Sequence, residues 1–280
     1  MDLPVNAKAG IKYAVLLPLM FIAGCQTSEV ARQAALQQRA VEVEQKNNIA
    51  SLTDVIKNNP NDANALNLRG AAFGQAGDYD RAIADFNAAL GINPDFPQAY
   101  ANRALIHVRL KQLPQATADY DRAISIDPNY APAYVGRGNI YKLQKSYPQA
   151  IADFTRAIEI EAGPIAYFNR GLSHQAMGQH GPAIDDFGNA LGFRPDSPDV
   201  FYAKGLSEMA LRKYENAFDD FYKAAQGSKN NFEAWALRGQ AAEAMGAKKE
   251  AARAYQRSLQ INPSFQPARK GLERVGREAA

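Results

Sequence analysis

The chain has 280 residues, 46% of them apolar and 22% charged, which is enough for a core and too apolar for general disorder. Lys plus Arg number 32 against 29 Asp plus Glu, a formal net charge of +3, which gives no support to a nucleic-acid-binding surface. The single cysteine, Cys25, allows no intramolecular disulfide and no Cys-based zinc site, and His107, His174 and His180 leave little for a metal cluster, so no cofactor is expected.

At the N-terminus, Lys8 and Lys12 precede an apolar run, Tyr13 to Ile22, which ends in Ala23, Gly24 and Cys25. A basic start, an apolar middle and small residues at its end describe an export signal over residues 1–24. The run is too short to cross a bilayer as a helix, which takes about 20 apolar residues. Ile22-Ala23-Gly24-Cys25 resembles the lipobox of bacterial lipoproteins. That resemblance implies cleavage before Cys25, a thioether link from its thiol to diacylglycerol, and acylation of the new amine. An ordinary signal peptide with an incidental cysteine is the other reading of the same residues. Gln26, not Asp, follows the cysteine; by resemblance to Gram-negative lipoproteins this favours the outer membrane, periplasmic face. Three acyl chains would hold the protein there firmly.

Residues 25–47 are rich in Gln, Ala and Glu, and read as a flexible tether or as an amphipathic helix able to pair with another copy as a homodimer. Ile49, Leu52, Val55 and Ile56, ahead of Asn59-Pro60, predict a single helix within 48–62.

From residue 63 to 265 the sequence repeats itself. Gly70, Ala104, Gly138, Gly171, Gly205 and Gly239 stand 34, 34, 33, 34 and 34 residues apart. The same gaps separate Ala82, Ala116, Ala150, Ala183, Ala217 and Ala251, and also Phe86, Tyr120, Phe154, Phe187, Phe221 and Tyr255. A further column runs Leu66, Tyr100, Tyr134, Tyr167, Phe201 and Trp235. Within a unit, Tyr134, Gly138 and Tyr141 recur at helical spacing, as do Ala150, Phe154 and Ala157, so each unit predicts two helices. Asn93-Pro94, Asp127-Pro128, Arg194-Pro195 and Asn262-Pro263 stop the second helix, because proline biases the residue before it away from α geometry. This large–small–aromatic first helix and Ala–aromatic–Ala second helix is similar to the tetratricopeptide repeat. The resemblance implies an all-α fold, a right-handed superhelix of six helix pairs (63–265). Gln266 to Arg277, with Leu272 and Val275 amid charges, predicts a capping helix within 266–280.

Two joints depart from the pattern. Ala162-Gly163-Pro164 stands where an Asn-Pro turn is expected in a unit one residue short, and residues 226–231 replace that turn in the fifth unit. They read as changes in superhelical twist, or simply as helix C-caps at Gly163 and Gly227. His107 and His174 share a column with Phe73 and Tyr141, which predicts packing between helices, and His180 lies in a turn where solvent would reach it. Arg69, Arg103, Arg137, Arg170, Lys204 and Arg238 precede the small-residue column, and Asp85, Asp119, Asp153, Asp186 and Asp220 precede the second-helix aromatic, Ala254 breaking the series. Pairing within units strands Arg238, and pairing across units strands Arg69. Either register makes these structural pairs between helices, expected to be partly exposed and worth about 0–1 kcal/mol each.

No phosphate-binding glycine loop, nucleophile elbow or HExxH motif occurs, so no catalytic residue is assigned and enzymatic activity is not expected. In the repeat family, first-helix residues line the concave wall. In the early units these are Asn64, Asn67, Ala71, Gln98 and Ala101; later they become Ile165, Phe168, Leu172, Tyr202, Leu206 and Met209. That apolar set is the expected partner-binding groove, unless its members pack on neighbouring helices. Asn102 matches the middle residue of the carboxylate clamp of chaperone-binding relatives, but Asn67, Ala71, Pro132 and Gly136 replace its other members. The layout resembles the NlpI-type repeat lipoproteins, adaptors for periplasmic proteases and cell-wall hydrolases; repeat lipoproteins that assist pilus secretins in the outer membrane share it.

Overall fold

The computed structural model describes residues 37, 43, 46–227 and 230–277, and among these there are helices and no strand. The export signal, Cys25 and the stretch expected to tether or dimerise fall outside the described residues, apart from a few positions before residue 48. Helix α1 (residues 46–58) leads into six pairs. These are α2 (Ala63–Gln75) with α3 (Tyr79–Ile92), α4 (Pro97–Arg109) with α5 (Leu113–Ile126), and α6 (Ala131–Leu143) with α7 (Tyr147–Ile160). Then come α8 (Pro164–Ala176) with α9 (His180–Phe193), α10 (Pro198–Ala210) with α11 (Tyr214–Gln226), and α12 (Phe232–Ala244) with α13 (Lys248–Ile261), closed by α14 (Gln266–Arg277). From α2 onward each helix packs on the next, and α2, α4, α6, α8 and α10 touch in series, so the chain is an all-α stack of helix pairs.

Local chemistry sets the boundaries. Pro97, Pro132, Pro164 and Pro198 open first helices, where a missing N–H costs nothing. Elsewhere Asp62, Asp78 and Asn231 accept from the N–H three residues on. Second helices end on extended residues such as Asn93, Asp127 and Asn262, as the following prolines demand. Glu161 is extended too, although Ala162 follows it. Gly163 does not cap α7; it is the extended N-cap of α8, because the chain has already turned at Glu161. Gly227 does hold the C-cap of α11, at φ −71°, and a Cβ there would lie 2.1 Å from Pro198 Cγ. Close approach to Pro198, not a left-handed backbone, requires glycine at that joint.

The turn inside each pair is closed by a hydrogen bond from the third residue past the first helix to the carbonyl five residues earlier, for example Gln112 N to His107 O at 2.8 Å. The residue between must be left-handed. Gly77, Gly178 and Gly246 fill that position at φ 73–82°, but Lys111, Lys145 and Arg212 fill it at 59–60°, each at a cost of about 1 kcal/mol.

The small-residue column lets second-helix rings reach the first helix. A Cβ on Gly70, Gly138, Gly171 or Gly205 would sit 2.8–2.9 Å from the ring of Phe86, Phe154, Phe187 or Phe221. Each of those rings is fully buried.

The ladder pairs within units. Arg69, Arg103, Arg137 and Arg170 grip Asp85, Asp119, Asp153 and Asp186 with two parallel bonds of 2.6–2.9 Å, and Lys204 reaches Asp220 at 2.6 Å. The carboxylate side chains are only 4–9% exposed, so these are not the weak surface pairs expected from sequence. Bidentate, largely dry pairs of this kind cost several kcal/mol to break from one side. Arg238, with Ala254 at the matching position of its unit, has no ladder carboxylate among the described residues. Its guanidinium stacks instead on Phe218, Tyr222 and Trp235 at 4.1, 4.4 and 5.4 Å, and its buried Nε has no acceptor among the described residues. Burial lowers its pKa, more than Tyr222 and Asp219 nearby raise it.

Candidate functional site

The first helices form one continuous face, and its openness depends on side-chain size. One column of that face reads Asn67, Ala101, Val135, Phe168, Tyr202, Ala236, and the next Ala71, Leu105, Asn139, Leu172, Leu206, Gln240. In the fourth and fifth units the residues are large enough to reach their own second helices. Phe168 lies 5.9 Å from Phe187 and Tyr202 6.0 Å from Phe221, while Leu206 and Met209 pack on Ala217 and Phe221. All four, with Leu172, are half-buried.

In the second and third units Ala101, Val135 and Gly136 are too small to close the same space, and a groove of about 810 Å³ opens between α4, α6 and the start of α8. Leu105, Val108, Pro132, Val135, Leu143 and Ile165 wall it, over a floor of Tyr120 and Ile140. Leu105, Leu143 and Ile165 are about half exposed, at 48, 62 and 54%. Burial pushes the Tyr120 hydroxyl up to about 12, so it stays a neutral donor. Asn102 and Asn139 also line the groove; Asn102 donates to Asn67 Oδ1 at 2.9 Å, and Asn139 has no partner among the described residues. Arg109 and Lys111 stand at one end and Glu161 at the other.

Of the six groove residues expected from sequence, Ile165 alone lines this groove. Ile165 and Phe168 also line a smaller cleft of about 170 Å³ with Asn169, Arg194 and Asp199. Tyr202, Leu206 and Met209 contribute mainly to packing between helices. Leu105, Val135 and Leu143 were the residues sequence reading passed over; the signal available was their place in or beside the same columns.

The polar residues serve the frame. Nδ1 of His107 lies 2.7 Å from Gln112 Oε1 and that of His174 2.6 Å from Gln179 Oε1, and each Nε2 approaches the ladder carboxylate at 3.8–3.9 Å. His180 is not simply solvated: it is half-buried at the start of α9, 3.4 Å from Ser207 Oγ. Glu208, in the His107 column, is 1% exposed; it accepts from Lys204 at 2.9 Å through Oε1, while Oε2 has no partner among the described residues. Among the described residues no cluster of three or more His, Cys, Asp and Glu could hold a metal ion, and no helix is long and apolar enough to cross a membrane.

Models of the tetratricopeptide repeat match residues 49–97, 72–131 and 168–231, with two further repeat models matching 131–162 and 232–265. No curated protein matches the sequence. Among solved structures the chain is similar to PilF of Pseudomonas aeruginosa, at 21% identity and a TM-score of 0.64 over 77% of this chain and 97% of that one. It is similar to PilW, a type IV pilus biogenesis factor, at 23% and 0.62 over 76% and 97%. It is also similar to YrrB, a repeat protein with an unusual peptide-binding site, at 20% and 0.63 over 67% and 97%. At these identities the likeness is one of fold.

Proposed function

The chain belongs to the tetratricopeptide-repeat family, whose fold is a scaffold for protein interaction, and from that premise we propose that it captures an extended polypeptide in the groove across α4, α6 and α8. The single observation carrying this is an 810 Å³ trough with exposed apolar walls and amide side chains between them. Apolar walls reward burial of a partner's side chains, and Asn102 and Asn139 can bond its main chain. The lipobox-like Ile22-Ala23-Gly24-Cys25 supports a lipid anchor on Cys25, which places the scaffold on the periplasmic face of an outer membrane. A tethered scaffold raises the effective concentration of what it holds without any new contact. Its clients are then periplasmic proteins such as proteases and cell-wall hydrolases, as in the NlpI-type lipoproteins. Likeness over 97% of PilF and PilW favours a second reading, assistance to pilus secretins.

The experiment is in-cell photocrosslinking from residue 143, paired with Leu105→Ser/Leu143→Ser. The expected result is a crosslinked protease, hydrolase or secretin that the double variant loses while keeping its helicity. Undiminished capture by that variant would reject the groove. Cys25→Ser should release the protein from membranes, and unchanged fractionation would reject the anchor.

A further inference from the structure

Each helix pair has two ends, the turn within the pair and the turn into the next unit. Because units stack in series, equivalent turns line one edge of the array, and the two edges lie about 20 Å apart, the length of a 13-residue helix. The edges differ in charge. From the second unit to the sixth, the within-pair edge exposes Arg109, Lys111, Lys145, Arg212, Lys213 and Lys249, against Glu215 and Glu250. The opposite edge exposes Asp95, Glu161, Asp196, Asp199 and Glu233, against Arg122, Arg194 and Lys223.

Backbone conformation marks the first edge independently. Lys111, Lys145 and Arg212 hold left-handed positions that the other three units give to glycine. A side chain there is strained, and for these three no hydrogen bond or ion pair from the side chain to another described residue offsets that strain. Exposed apolar side chains stand immediately before the left-handed residue in three units: Leu110, Met177 and Leu211, 37–42% accessible.

We propose that this edge docks on an anionic bilayer, its cations meeting lipid phosphates while Leu110, Met177 and Leu211 enter the interfacial zone. An acidic polypeptide would satisfy the cations, but isolated apolar side chains one or two units apart, none of them lining the groove, suit a fluid interface better than a fixed partner. Cys25 is no part of this surface, and the groove meets it only at one end, through Arg109 and Lys111; vesicle binding and client capture are separate readouts, so each proposal fails on its own.

The test is flotation of the full chain with vesicles of phosphatidylcholine alone or with about a third phosphatidylglycerol, at about 0.05 and 0.3 M salt. Any grip by residues 13–22 or by a lipid on Cys25 acts on both vesicle types and cancels in their ratio. Anionic vesicles should bind at least about tenfold more tightly, and the excess should vanish at the higher salt. Lys111→Gly/Lys145→Gly/Arg212→Gly removes three charges and relieves three strained residues, so it should fold as well as the parent and lose most of the excess. Equal binding to both vesicles, an excess retained by that variant, or retention on immobilised polyglutamate without preference for anionic vesicles would overturn the proposal.

Discussion

A Cβ on Gly136 would lie 2.2 Å from Cζ of Tyr120, closer than any ring contact made by the small-residue column. The two tyrosines in the second-helix aromatic column, Tyr120 and Tyr255, each face a glycine of the next helix sixteen residues on, Gly136 and Gly271. The extra reach of tyrosine over phenylalanine is thus accommodated by the next helix.

Gly136→Ala should therefore destabilise by about 1–3 kcal/mol, overpacking outweighing the gain in helix propensity. Gly91→Ala and Gly188→Ala, on helices with nothing within 4 Å of the new methyl, should stabilise by about 0.5–1 kcal/mol. Thermal unfolding of the three variants reads the contrast; a stabilised Gly136→Ala would show that Tyr120 has room to move.

The ladder predicts asymmetric damage. Arg170→Ala leaves the Asp186 carboxylate buried without its cation and should cost about 3–4 kcal/mol, while Asp186→Ala leaves the less buried Arg170 and should cost about 2 kcal/mol. A double-mutant cycle in urea measures the coupling, and a value near zero would return the pair to the weak surface class.

Arg238 offers the converse. Ala254→Asp restores a carboxylate sixteen residues on, the spacing of the other pairs, and should stabilise by about 1 kcal/mol. Withdrawal of the guanidinium from Trp235, the single tryptophan, should change its fluorescence. Loss of stability with unaltered emission would mean that the aromatic stack holds Arg238 more strongly than an ion pair does.

Glu208 makes stability fall as pH rises. Burial, then repulsion from Asp220, outweighs Lys204 and pushes its carboxyl from 4.5 up to about 7. Between those values the folded chain binds a proton that the unfolded chain has lost, so the contribution of Glu208 is complete below pH 4.5 and is lost as the pH rises through about 7. Glu208→Gln should flatten this part of the profile in urea melts from pH 4.5 to 8, and an unchanged slope would assign the effect elsewhere.

The fold was legible because sequence periodicity and packing are the same fact here: the columns at 33–34 residues are the contacts between helices. The ladder's members were legible but its register was not, since Arg170 can reach in two directions and only three-dimensional placement selects Asp186. The face that forms the groove was legible from its columns. Which units leave it open was not: a row of apolar residues reads as a binding site, yet Phe168 and Tyr202 are large enough to fill their own space. Ala101 and Gly136 open the trough by being small, and hydrophobicity patterns do not weight absence. Charge at the left-handed turns was visible as composition, but its strain appears only in the backbone angles.

Closing each ladder pair inside its own unit has a consequence for how such a chain can change length. A cut or an insertion at any boundary between helix pairs separates no buried carboxylate from its cation. Tandem duplication or terminal trimming therefore leaves aromatic and aliphatic surface to be covered, but strands no dry charge.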